Sequence, residues 1–135
     1  MISKLLELTQ IGPIRAGIIN IPEKYWPQPG QFLPCQRISD KPDILVTNLF
    51  PVLGDEGGLT LEPIPGDWYP GDRIQYLPPQ GRGFELPSTV RRIGLLPFGV
   101  SPLRLLPLAN YTLAQNASLT LFLDPEQRDA YLDFI

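Results

Sequence analysis

Proline recurs too evenly along this chain for long helices to form: 17 of its 135 residues are proline, against a typical share of about 5%. The proline ring fixes φ and removes a backbone donor. Proline therefore interrupts helices and settles in loops, on strand edges and at bulges. The sequence predicts short strands, many turns and little helix.

Residues 3–9 and 14–21 are β-compatible runs on either side of Gly12-Pro13 and read as a hairpin, with Ile14, Ala16, Ile18, Ile19 and Ile21 as apolar positions. Residues 22–30 form a loop. Its Tyr25 and Trp26 either cap an open barrel end or stack on a ligand. A third strand covers 31–37 and contains Cys35, which packs as a small hydrophobe unless nearby positive charge activates it. Residues 39–43 turn the chain, and 44–53 is the fourth strand. Gly54-Asp55-Glu56-Gly57-Gly58 is a hairpin loop, and its two acids read as solvated rather than as a metal or acid–base pair. Residues 59–64 are the fifth strand, 65–72 a tight loop containing Pro70-Gly71, and 73–77 an alternating sixth strand. Six short strands punctuated by turns predict a mainly β protein built on a small antiparallel barrel or sandwich.

After Pro78-Pro79-Gln80-Gly81-Arg82-Gly83-Phe84 the character changes. An apolar run over 92–96 leads into Phe98-Gly99-Val100-Ser101-Pro102-Leu103, a strand-to-helix turn. Ser101 caps the helix and Pro102 takes its first position, where a missing N–H is harmless. The helix is expected over 102–115, kinked or shortened by Pro107. Leu103, Leu105, Leu106 and Leu108 cover most of its circumference, which predicts a largely buried helix. Asn116 ends it. A buried-type strand over 117–123 follows, and Asp124-Pro125-Glu126 opens a short acidic helix to 135. The order strand–helix–strand implies a right-handed parallel crossover. The expected division is a barrel domain over 1–88 and a βαβ unit with a C-terminal helix over 89–135.

The formal net charge is −3, and Arg91-Arg92 is the densest basic run. Nucleic acid is not an expected partner, because phosphate-backbone binding needs a positive surface. No apolar run reaches the roughly 18 residues of a spanning helix, so no membrane partner is expected. The first residues lack the apolar core of a leader peptide. With one cysteine and no intrachain disulfide, a cytoplasmic location is expected. There is no histidine, which removes Ser-His-Asp and Cys-His catalysis and every histidine-based metal site. One thiol does not supply the four that an iron–sulfur cluster usually takes. Gly99-Val100-Ser101 lacks both the closing glycine of a hydrolase elbow and a base. No catalytic residue and no metal site is expected.

Four segments carry a resemblance: Pro29-Gly30-Gln31-Phe32, Pro70-Gly71-Asp72, Pro79-Gln80-Gly81-Arg82-Gly83-Phe84 and Gly99-Val100-Ser101-Pro102-Leu103. In order and spacing the chain resembles the ferredoxin–NADP reductase superfamily, and within it the electron-transfer subunit of dihydroorotate dehydrogenase. The resemblance implies a six-stranded flavin-reductase-like barrel followed by a partial α/β unit. In that family the barrel holds a flavin and the α/β domain a nicotinamide cofactor. Carried onto this chain, the resemblance places Asn48, Phe50, Gly81 and Gly83 near a flavin.

The departures from the family pattern fall on the cofactor-gripping residues. Where the family has Arg-x-(Tyr/Phe)-Ser, this chain has Asn48-Leu49-Phe50-Pro51, without the cation that pairs with the flavin pyrophosphate. Pro65-Gly66-Asp67-Trp68 stands where a phosphate-cradling helix start would be. Leu96-Pro97-Phe98-Gly99 replaces a glycine run. One βαβ unit leaves Leu119, Leu121, Phe122 and Leu123 in need of a neighbour. The expected function is a reductase-like module without a cofactor that serves as a protein-interaction or assembly subunit, through self-association or another protein subunit. The alternative is an FAD-dependent electron-transfer subunit of a partner oxidoreductase.

Overall fold

The structure, a computed structural model, describes residues 1–40 and 45–134. Its strands are β1 (Ile2–Ile11), β2 (Ile14–Ile19), β3 (Leu33–Arg37), β4 (Thr47–Asp55), β5 (Gly58–Glu62), β6 (Arg73–Tyr76), β7 (Arg92–Leu95) and β8 (Ser118–Leu121). Its α-helices are α1 (Leu106–Ala114) and α2 (Pro125–Tyr131). The first six strands close into an antiparallel barrel in the order β1-β2-β5-β4-β3-β6. The last two form a separate parallel pair. This is the expected barrel followed by a partial α/β unit.

Two tight hairpins set the register. Gly12, at φ +56°, turns β1 into β2, and the two-residue turn Glu56-Gly57 joins β4 to β5. Asp55 and Glu56 are exposed there, and Asp55 caps the turn by accepting from the Gly57 N–H at 2.7 Å. The β4–β5 hairpin extends further into the glycine cluster than expected, because Gly58 pairs with Asp55. β5 ends at Glu62, where Pro63 and Pro65 supply no donor to the ladder. Pro51 sits at a β-bulge of β4, between the pairs Pro51–Leu61 and Leu53–Thr60. A bulge is one of the few places a sheet tolerates proline. The turn expected at 39–43 and the strand start at 44 fall largely on residues 41–44, outside the described residues. Leu45 and Val46 are exposed and precede β4 without being part of it.

Alternation along each strand fills the barrel. Leu5, Ile19, Leu33, Leu49, Leu61 and Ile74 are all fully buried inside it. Tyr25 and Trp26 pack against this core. The Trp26 Nε1–H donates to the Ile21 carbonyl at 2.8 Å, and Tyr25 meets Tyr76 edge-on at 6.3 Å. Both aromatics therefore close one end of the barrel. Cys35 is buried in the same core, and burial pushes its thiol up to about 12. It stays protonated and packs as a small hydrophobe.

A second core joins the barrel to the C-terminal unit: Ile11, Ala16 and Val52 from the barrel pack with Leu103 and Tyr131. Close backbone approach matters here. A Cβ on Gly12 would lie 2.5 Å from the Ala130 carbonyl oxygen. The α2 terminus is locked by a capping box between Asp124 and Gln127, as Asp124-Pro125 predicts.

Two expectations about the C-terminal unit need correction, while the expected shortening of the helix at Pro107 is met. The helix over 102–115 is two segments: Pro102–Leu105 is a 3-10 turn and α1 begins at Leu106. Pro107 has no N–H to return to the Leu103 carbonyl, so the α-ladder starts only around it. Ser101 does cap the turn, accepting from the Leu103 N–H at 3.1 Å. The helix is also not largely buried. Leu108, Ala109 and Thr112 are buried, but Tyr111 and Leu113 are exposed. Nor is β8 a buried-type strand: Leu119 and Leu121 are half-buried, and Ser118, Thr120 and Phe122 are exposed. Both corrections share one cause. A two-stranded sheet offers a helix one narrow face and leaves the other face bare. Asn116 ends α1 in the left-handed region, at φ +59°.

The Thr112 hydroxyl is fully buried and has no hydrogen-bond partner among the described residues. An unsatisfied buried hydroxyl costs about 1–3 kcal/mol. Thr112→Val keeps the shape and removes that cost. We expect a gain of about 1 kcal/mol, read as a higher urea midpoint with unchanged slope. A lower midpoint would show that the hydroxyl finds a partner.

Candidate functional site

The outward face of β4 carries two of the four residues that the resemblance assigns to a cofactor. Leu49 points into the barrel, so Asn48 and Phe50 lie on the opposite side. Asn48 is exposed, opposite Pro34. Phe50 is half-buried, and its ring lies 5.7 Å from that of Phe32.

The face of Phe50 is already covered. The Arg104 guanidinium, from the 3-10 turn, sits 3.8 Å from the Phe50 ring centroid. Its Nε donates to Glu62 Oε1 at 3.2 Å. Glu62 pairs with Phe50 across the β4–β5 ladder and is 1% exposed, whereas the Arg104 side chain is 33% exposed. Burial raises the Glu62 carboxyl above its ordinary range, and the charge and hydrogen bond of Arg104 partly lower it again. A stacked cation with a carboxylate at its edge is a rigid arrangement, because both the plane and one donor of the guanidinium are fixed.

The glycine turn packs against the neighbouring loop. Gly81 has φ +91°, and a Cβ there would lie 3.2 Å from the Phe32 ring. Gln31 Nε2 donates to the Gly81 carbonyl at 3.2 Å. Phe32 and Gln80 exchange backbone hydrogen bonds at 3.0 and 2.9 Å. Gly30, at φ +94°, would bring a Cβ to 3.0 Å from the Arg82 carbonyl oxygen. The two glycine-bearing motifs are thus bound face to face. Phe32 bridges Phe50 and Gly81, while Gly83 lies aside against Gln28 and Pro29. Gly83 has no left-handed φ and no close approach that demands glycine.

Between this surface and the C-terminal unit lies a cavity of about 200 Å³, lined in part by Gln31, Phe50, Phe84, Val100, Arg104 and Leu105. Small-molecule sites usually run from about 300 to 1,000 Å³. Of the four residues assigned to the flavin, Phe50 lines it. Sequence reading missed Glu62 and Arg104. Each is the lone charge in an apolar run, Leu59-Thr60-Leu61-Glu62 and Leu103-Arg104-Leu105-Leu106. Two opposite charges stranded in buried segments are a signal that they pair.

The loop Pro65-Gly66-Asp67-Trp68 is held by two arginines of the barrel. Arg37 holds the Asp67 carboxylate at 3.2 Å and also donates to the Asp67 carbonyl. Arg15 donates to the carbonyls of Pro65 and Trp68 and lies 5.4 Å over the Tyr69 ring. In the loop after β7, Pro97 is buried and Phe98 is 89% exposed. Among the described residues no group of three or more His, Cys, Asp or Glu could hold a metal. No helix among them is long and apolar enough to cross a membrane.

The Glu62–Arg104 pair yields a testable ledger. Arg104→Ala leaves a buried carboxyl without its partner. We expect a loss on the order of 2 kcal/mol, below the ~3–5 kcal/mol of a fully buried pair because Arg104 is partly solvated. Glu62→Leu with Arg104→Met should restore wild-type stability or exceed it. Glu62 has a raised pKa when folded, so the folded state keeps a proton that the unfolded chain has released. Its contribution is present below the ordinary glutamate pKa and is lost as pH rises through the folded value. Glu62→Gln should flatten the decline in urea midpoint as pH rises above the ordinary glutamate range, relative to wild type. No protein-family model matches the chain, and no curated protein sequence matches it either.

Proposed function

We propose that this chain is a reductase-like barrel module without a working cofactor site, serving as an interaction or assembly subunit. One observation carries this reading: Arg104 occupies the face of Phe50 and is tied there to Glu62. A planar ligand stacking on Phe50 would have to displace a guanidinium and leave a buried carboxyl unpaired, which is costly. The apolar surface at the ends of β7 and β8 supports the interaction role. Leu96, Phe98 and Phe122 are exposed there, and clustered exposed hydrophobes mark interfaces.

The second reading, an FAD-dependent electron-transfer subunit, is favoured by the cavity between Phe50 and Phe84 with Arg104 in its wall. In that case Arg104 would turn from Glu62 to a pyrophosphate. A visible absorbance spectrum and an FAD titration of the purified chain separate the two. We expect a colourless protein that leaves the fluorescence of added FAD unchanged. Flavin bands in the purified protein, or saturable uptake of FAD, would overturn the first reading.

A further inference from the structure

We propose that the cleft over Phe50 is a docking point for a partner protein that inserts a carboxylate side chain flanked by an apolar residue, with Arg104 as the receiving group. The proposal rests on the interaction-module reading and names the chemistry of its partner. Arg104 engages the protein through Nε, to Glu62, and through its π-face, to Phe50. Its two Nη amino groups donate to none of the described residues. The side chain is still one-third exposed. A guanidinium fixed in plane and position, with donors to spare, is preorganised for a carboxylate and loses little entropy on binding one.

The surroundings select the rest of the ligand. The cavity beside Arg104 is about 200 Å³ and is otherwise lined mainly by apolar groups, among them Phe84, Val100, Leu105 and Pro107. That volume suits one or two side chains of a protein segment rather than a whole small molecule. Phe84 and Val100, which line the cavity, are both exposed at their outer sides. Arginine and aromatic residues in a small desolvated pocket are enriched in interface hot spots.

The test is selection of a random heptapeptide library displayed on phage against the immobilised full chain. We expect enrichment of sequences with Asp or Glu next to an aliphatic or aromatic residue. The enriched peptide, made synthetically, should bind the wild-type chain and lose roughly ten-fold or more in affinity to Glu62→Gln/Arg104→Met, where the neutralised pair keeps the core intact. Arg104→Lys, which keeps the charge without the planar fork, should lose affinity as well. Far-UV circular dichroism checks that each variant folds. Selected peptides without an acid, no enrichment, or affinity indifferent to both variants would each overturn the proposal. Light scattering that shows a dimer broken by the same variants would assign the site to a second copy instead. FAD uptake would defeat the reading beneath the proposal, whereas an acid-free selection defeats this proposal alone.

Discussion

Closure of the barrel is the constraint on which everything else rests. β1 and β6 pair at Ile2–Gln75, Ser3–Ile74 and Lys4–Arg73, and backbone bonds from Leu5 N–H to the Asp72 carbonyl and from Tyr76 N–H to the Met1 carbonyl extend the seam. Without that seam, both edges would expose unpaired backbone and the inner leucines and isoleucines would lose their enclosure. Closure fixes which residues face inward. Because side chains alternate with a period of two, burying Leu49 turns Asn48 and Phe50 outward. The surface offered to the C-terminal unit is therefore a consequence of core packing.

The C-terminal unit depends on that surface. Two parallel strands and a short helix cannot bury enough area to stand alone. Leu103 and Tyr131 supply the missing burial by entering a core with Ile11, Ala16 and Val52. The Arg104–Glu62 contact lies at the same junction. Its net value for stability is small, since desolvating Glu62 opposes the attraction. Its effect on geometry is larger: it fixes the 3-10 turn against the barrel and settles what covers Phe50.

Much of the fold was legible in the sequence, because its signals are local. Gly12-Pro13, Glu56-Gly57 and Pro70-Gly71 are turn chemistry. Alternation over Arg73–Tyr76 is a period-two pattern, and Ser101-Pro102 and Asp124-Pro125 are caps. The errors were also local in origin. Leucine content alone made the helix and β8 look buried, because a count of apolar residues does not tell how many neighbours exist to cover them. The site was less legible. Phe50 and Gly81 do come to the two sides of Phe32, but Gly83 does not join them. Glu62 and Arg104, 42 residues apart, carried one stranded charge each.

The sequence by itself determined where this chain turns, caps and alternates, and that it lacks the imidazoles of the commonest catalysts. Those properties follow from each residue's own backbone and side-chain chemistry. Only the tertiary structure decided that Arg104 lies on Phe50 with Glu62 at its edge. That contact joins a barrel strand, its ladder partner and a distant 3-10 turn, and it exists only because barrel closure and the Leu103–Tyr131 core bring the three together.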